Sequence, residues 1–297
     1  MSLSERDSER PTAPKPRVLV QHDPVGHAAP LVFDSPHSGI DYPADFGCVA
    51  PLAILRTAED THIDDLFGAA PAQGATLIAA LFPRSYIDVN RDELDIDPSL
   101  LDGPWPCALN PGEKTKLGMG LIRRLAQPDL AMYDRKLPVA EIQARIDTYY
   151  RPYHATVKQA IDRTHQRFGA VWHINCHSMG SVGSAMTSDG PRRRPDFVLG
   201  DRDGTTCAAE FTDLVYRWLK ERGHHVTIND PYKGVELVRH YSNPAQRRHS
   251  LQIEINRALY MDETTRAPNA GYASLKAEMT ALIATLASWS RSAASRR

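Results

Sequence analysis

A chain of 297 residues has room for one large α/β domain or two small ones, with ample core. Hydrophobic residues at 42% and charged residues at 24% are ordinary for a soluble globular protein, and a formal net charge of −1 argues against nucleic acid or an anionic membrane as partner. No apolar run approaches the roughly 20 residues of a membrane span, and Met1–Lys15 is charged and proline-bearing without the apolar centre of a secretory signal. A cytoplasmic protein is therefore expected. Its four cysteines, Cys48, Cys107, Cys176 and Cys207, show no CxxC spacing and are expected to be reduced.

Residues 1–16 read as a solvated tail, 17–289 as a single α/β domain and 290–297 as a basic, serine-rich tail. Val18–Val20 gives a first strand or edge segment. Pro30–Asp34 is an apolar strand that stops at Ser35-Pro36-His37-Ser38-Gly39, because proline cannot donate to a ladder; His37 then sits on the following turn. Leu52–Ala69 reads as helix or turn-helix and carries Glu59, Asp60, His62, Asp64 and Asp65. So many acids near a helix start are either a solvated, capping face or a source of ligands. Ala75–Phe82 is another apolar strand.

Arg84–Asp92 alternates apolar and polar residues with period two, which predicts a strand carrying Arg84, Asp88 and Asn90 on one face. Those groups must face solvent or bond one another or a ligand. Leu94–Met119, rich in Pro, Gly and Asp, has the length of a functional loop or lid. Apolar positions recurring at three and four make Leu137–Phe168 helical, with Pro152 set to kink or split it.

Val171–Ile174 opens a strand whose polar tip runs through Asn175, Cys176, His177, Ser178 and Met179 into a Gly- and Ser-rich loop. A histidine there either caps the strand or points into the crevice where α/β sheets bind ligands. Arg192–Arg194 reads as a solvated run. Phe197–Gly200 is a short strand, Cys207–Glu221 an amphipathic helix stopped by Gly223, and His225–Ile228 a strand leading to the turn Asn229–Gly234. His249–Asn256 alternates again, with Glu254 between Gln252 and Asn256 on one face, where an unpaired carboxylate would be costly to bury. Tyr272–Trp289 is a last amphipathic helix. Strands and helices alternate throughout, which predicts one layered α/β structure.

Two histidines at strand ends, an acidic cluster, an Asn-Arg pair and a strand-borne glutamate are the parts of a mononuclear zinc hydrolase. Two imidazoles and one carboxylate leave a position open for water, a further carboxylate takes the proton, and an arginine steadies the oxyanion. Ser35–Gly39, Tyr86-Ile87-Asp88-Val89-Asn90-Arg91, Asn175–Met179 and Gln252–Arg257 together resemble the N-formylglutamate amidohydrolase family, over about Leu31–Glu263. That family is similar to zinc carboxypeptidases and to aspartoacylase-type deacylases. The resemblance implies a mixed, mostly parallel sheet flanked by helices, one Zn2+ per chain, a small anionic N-acyl amino acid as substrate, and a place in histidine degradation.

Residue by residue, the resemblance makes His37 and His177 metal ligands, Glu254 the general base, and Asn90-Arg91 the pair that handles substrate carboxylate and oxyanion. Carboxypeptidases carry a glutamate three positions after the first histidine, where this chain has Ile40. The middle ligand is therefore sought in the acidic cluster, as Asp60, with Glu59 and Asp64 in reserve. A substrate with two carboxylates needs two cationic anchors. Arg91 is one; Arg84, Arg239, Lys233 and Arg257 are candidates for the other, and Ser178 for a further polar contact. Two other readings remain: a serine hydrolase on Cys176-His177-Ser178-Met179-Gly180, which lacks the first glycine of an elbow, and a metal-free binder of acidic ligands, which leaves Glu254 without a role.

Overall fold

The computed structural model describes residues 16–184, 187 and 189–296, so all but the last residue of the expected tail at 1–16 lies outside the described residues. The core is a seven-stranded sheet: β1 (Leu19–His22), β2 (Leu31–Ser35), β3 (Thr76–Ala80), β4 (Val171–Met179), β5 (Phe197–Gly200), β6 (Val226–Ile228) and β7 (Arg248–Asn256). Their order across the sheet is β1-β3-β2-β4-β7-β5-β6. β1 lies antiparallel to β3 and β7 antiparallel to β5, while the other four pairings are parallel. This is the mixed, mostly parallel α/β sheet expected from the sequence.

Alternation sorts the two long central strands into an apolar and a polar face. Trp172, Ile174 and Cys176 of β4, with Leu251, Ile253 and Ile255 of β7, enter one core. The helices α5 (Ala209–Lys220) and α7 (Tyr272–Ser295) cover it through Phe211, Val215, Leu219, Leu275, Met279, Leu282 and Leu286. The intervening positions His173, Asn175 and His177 stand beside Ser250, Gln252 and Glu254 in register. All six are buried. On that side the cover is α4 (Arg151–Phe168), through Tyr153, Val157 and Ile161, and α6 (Glu236–Tyr241), through Leu237 and Tyr241. Because β2, β4 and β7 run parallel, their carboxyl ends share one edge, and the polar face opens there.

After the short helices α1 (Leu52–Leu55) and α2 (Ile63–Leu66), α3 (Val139–Arg145) runs into α4 through a π-helical turn, Ile146–Tyr150. Pro152 follows this π-helical turn directly, so the helix absorbs the donor that proline lacks in a local π-bulge. The helix is thus interrupted rather than ended.

Two expectations are corrected. Arg84–Asp92 is not a strand but a chain of turns: Tyr86 N bonds Pro83 O, Arg91 N bonds Asp88 O, and Asp88 N reaches Leu121 O. Its polar residues are held by one another and by the histidines, so period two here reflects a buried network. And α7 continues past Trp289 to Ser295 with Ser290 and Ala293 buried, so most of 290–297 belongs to a packed helix rather than a tail.

Candidate active site

His37 leaves β2 on a turn pressed against the end of β3. A Cβ on Gly39 would come within 2.3 Å of the Leu81 carbonyl carbon and the Phe82 oxygen, so only glycine permits this approach. The same turn holds the acid, since Asp60 N donates to His37 O at 2.9 Å. His177 arrives from the carboxyl end of β4.

Three atoms converge there. His37 Nδ1 and His177 Nδ1 are 3.1 Å apart, and Asp60 Oδ2 lies 3.4 Å from the first and 3.0 Å from the second. All three side chains are buried. Their neighbours set the ring tautomers. His37 Nε2 points to Asp88 Oδ1 at 2.7 Å, which turns its Nδ1 lone pair to the centre. His177 Nε2 points to Asn175 Oδ1 at 2.6 Å, and that amide is oriented by its own donation to Asp34 Oδ1 at 2.8 Å. Two lone pairs and a carboxylate oxygen thus face one another, an arrangement a cation resolves. A tetrahedral ion with bonds of about 2.0–2.1 Å sets ligand-to-ligand edges of about 3.3 Å, and the observed spacings match. The group can hold a metal ion.

The supporting residues are equally defined. Ser178 Oγ donates to Asp60 Oδ1 at 3.1 Å, and Arg257 reaches the same oxygen at 3.0 Å. Burial would raise the Asp60 carboxyl, but hydrogen bonds and charge from His177 and His37 hold it well below the usual range. Asp88, likewise buried, is held low chiefly by Arg84, which grips it at 2.7 and 3.2 Å, and then by His37. Asn90 accepts from Leu237 N at 3.0 Å and brings its Nδ2 to 3.1 Å from His177 Nε2.

Of the three acids proposed for the middle position, the structure brings Asp60 to the centre. Glu59 turns instead to Tyr42 and Arg56, at 2.8 and 3.1 Å, and Asp64 stands outside the cluster. Glu254 lines the same cavity of about 550 Å³ as His37 and His177. Burial raises its pKa to about 7, with His177 opposing and Asp60 adding. Its carboxylate accepts from Gln252 Nε2 at 3.0 Å.

Arg84, Asn90, Arg91, Ser178, Lys233 and Arg257 also line this cavity. Arg239 does not: it lies on α6, half-exposed, paired with Glu236 and Asp92. It is set aside as an anchor. The serine-hydrolase reading loses its footing too, because the Ser178 hydroxyl is engaged by Asp60 and Arg257 and, among the described residues, by no histidine.

Sequence reasoning missed several contributors. Asp88 was visible only as one polar face of a supposed strand. Arg194, read as part of a solvated run, is 4% exposed at its side chain, bonds Asp189 at 2.7 and 3.0 Å and lines the cavity. Lys114 and Arg123 line it as well. Their one signal was position, in and just after the long segment Leu94–Met119.

The sequence model of the N-formylglutamate amidohydrolase family matches residues 29–261, a span that contains every residue named above for the centre. The chain belongs to this family. It is 31% identical to the N-formylglutamate deformylase of Pseudomonas putida over 241 residues, 79% of this chain and 83% of that protein. It is 30% identical to the enzyme of the same name from Pseudomonas aeruginosa over 272 residues, 88% and 94% of the two chains. The crystal structure of an N-formylglutamate amidohydrolase from Ralstonia eutropha JMP134 superposes with a TM-score of 0.88 at 53% identity, covering 93% of this chain and 99% of that one.

Proposed function

We propose that the protein hydrolyses N-formyl-L-glutamate to formate and L-glutamate, with one divalent metal, zinc first among the options, at His37, Asp60 and His177. The observation that carries this reading is the convergence of His37 Nδ1, Asp60 Oδ2 and His177 Nδ1 at the wall of a cavity that His37 and His177 line together with Glu254. Two imidazoles and one carboxylate with an open position suit zinc. When bound, the metal supplies a water of lowered pKa and a Lewis acid for the formyl carbonyl.

The chain's own residues do the rest. Glu254 takes a proton from the attacking water and returns one to the leaving nitrogen as the C–N bond breaks, so that formate keeps the oxygen and glutamate the amine. Such a relay works best with a pKa near neutrality, and in the metal-free chain burial raises the Glu254 carboxyl to about 7. Asn90 and Arg91 are assigned the substrate's α-carboxylate. Among the described residues the Arg91 side chain bonds only the carbonyl oxygens of Met119 and Asn90, both at 3.1 Å, and so keeps its charge for a ligand. Arg84, fixed by Asp88, is assigned the charge that develops on the formyl oxygen.

We place the reaction in the cytoplasm, within histidine degradation. Among the described residues no helix is long and apolar enough to cross a membrane, and all four cysteines are free.

The test is a turnover screen of formyl-, acetyl- and succinyl-amino acids with purified protein. Formate release from N-formyl-L-glutamate should stop with a chelator and return with zinc. Chelator-resistant turnover would remove the metal from the reading, and preference for an acetyl or succinyl compound would remove the formyl group.

A further inference from the structure

The cavity is lined by more cations than the ion pairs within it consume. Arg84 is neutralised by Asp88, Arg257 by Asp60, Arg194 by Asp189, and Lys233 by Asp203 at 2.8 Å. Three remain without a carboxylate within ion-pair distance among the described residues: Arg91, Lys114 and Arg123. Arg123 stands apart from the other two. It is 8% exposed, its Nε is buried with no hydrogen-bond partner, and its side chain makes no hydrogen bond to the described residues. Its neighbour Arg124 turns the other way and pairs with Asp97 at 2.7 Å.

A buried guanidinium without an anion is costly. Burial, and next the charge of Arg84, push its pKa down to about 9, with Asp88 opposing. Yet the backbone holds it firmly in place. Leu121 N bonds Asp95 O at 2.8 Å, Asp88 N bonds Leu121 O at 2.9 Å, and Met119 bridges Arg123 across the turn. Gly120 seals this turn, since a Cβ there would meet Asp95 O and Thr115 Oγ1 at 2.7 Å. The backbone is thus fixed at this position, while the side chain lines the cavity and lacks its anion.

We propose that Arg123 binds the substrate's side-chain carboxylate and thereby makes the site select acidic N-acyl amino acids. The choice between carboxylates follows from connectivity. The α-carboxylate sits one carbon from the scissile nitrogen and falls to Arg91, whose neighbour Asn90 touches His177. Arg91 hangs on Met119 O, and Met119 bridges Arg123, so the two guanidinium groups share one scaffold. A planar fork matches a carboxylate with two parallel hydrogen bonds. Lys114, only partly buried on a flexible stem, offers no such geometry.

This inference rests on the proposed activity for the identity of the substrate, and its test is separable. Binding of L-glutamate and of L-glutamine, its uncharged isostere, is measured by calorimetry on the zinc-loaded protein and on Arg123→Gln, Arg123→Lys and Lys114→Met. The wild type should prefer glutamate by about 10- to 100-fold, the range of charge-assisted hydrogen bonds. Arg123→Gln should bring that ratio close to one with glutamine binding unchanged, and Lys114→Met should keep most of it. Should Arg123→Gln fail to fold, Arg123→Lys carries the test: it keeps the charge, loses the fork and should lose much of the preference. A preference that survives at position 123, that vanishes in Lys114→Met instead, or that the wild type lacks would overturn the proposal. Failure of wild-type protein to release formate would count against the activity alone, because the binding ratio is read without turnover.

Discussion

Glu254 stands directly opposite His177 in the register of the parallel strands β7 and β4. The pairing places a carboxyl of raised pKa beside a ring whose Nδ1 points at Asp60. It continues down the same face, where Gln252 stands opposite Asn175 and Ser250 opposite His173. A buried ladder of this kind is stable only if its members satisfy one another. They do: Gln252 donates to Glu254, Asn175 to Asp34, and His173 lies 3.1 Å from Ser250 Oγ. The register that builds the sheet thus also sets the geometry of the site.

Glu254→Gln should therefore keep the fold and the metal yet lose turnover by roughly 10²- to 10⁴-fold, the scale of general acid–base catalysis. The amide is nearly isosteric and leaves β7 packing untouched. Metal content and circular dichroism, measured beside kcat, separate this from a structural role. A destabilised protein with normal activity per folded molecule would reject Glu254 as the base.

Metal content should respond to the three converging residues and not to their acidic neighbour. His37→Ala, His177→Ala and Asp60→Asn should each lose the tightly held ion, whereas Glu59→Gln should keep it, because Glu59 faces Arg56 and Tyr42. Elemental analysis after gel filtration decides this. One zinc per chain retained in His37→Ala and His177→Ala would end the metal assignment.

Asp88 touches no ligand position itself, yet it orients the His37 ring and is gripped by Arg84. Partners of this kind are worth about 10- to 100-fold in metal affinity. Asp88→Asn should weaken zinc binding by that factor in a competition titration. Affinity equal to wild type would mean that Gly39 and the turn alone orient the ring.

Much of this arrangement was legible in the sequence, for identifiable reasons. The histidines sit where apolar strands end, and Glu254 sits on the polar face of an alternating strand; both signals are local. What escaped detection depends on long-range pairing. Arg84–Asp92 carries the period of a strand, but its backbone bonds go to turns and to Leu121, which no local pattern encodes. Arg194 looked solvated within a basic triplet because its partner Asp189 lies across a loop. Asp60, preferred to Glu59 and Asp64, is the acid the structure brings to the histidines, but no local pattern compels that choice, since one residue along an irregular turn reverses which carboxylate faces them. Arg123 gave no signal beyond its place just after Leu94–Met119, because an unpaired cation is visible only once every other cation has found its acid.

The raised pKa of Glu254 makes a further prediction, for the protein stripped of metal. Burial lifts its carboxyl from the ordinary 4.5 to about 7 in the folded state. Between those values the folded chain binds a proton that the unfolded chain has released. Stability must then fall as pH rises through this window and level off above it, opposite to a salt-bridged carboxylate. Asp60 and Asp88, both held low, contribute the usual opposite slope at more acidic pH, and do so in wild type and variant alike. The informative quantity is therefore the difference between wild type and Glu254→Gln. Urea unfolding at a series of pH values should show the variant gaining on the wild type from about pH 4.5 to about pH 7, and then a constant gap. A gap that does not change with pH would show that Glu254 titrates alike in the folded and unfolded chains, and burial would no longer account for a base poised near neutrality.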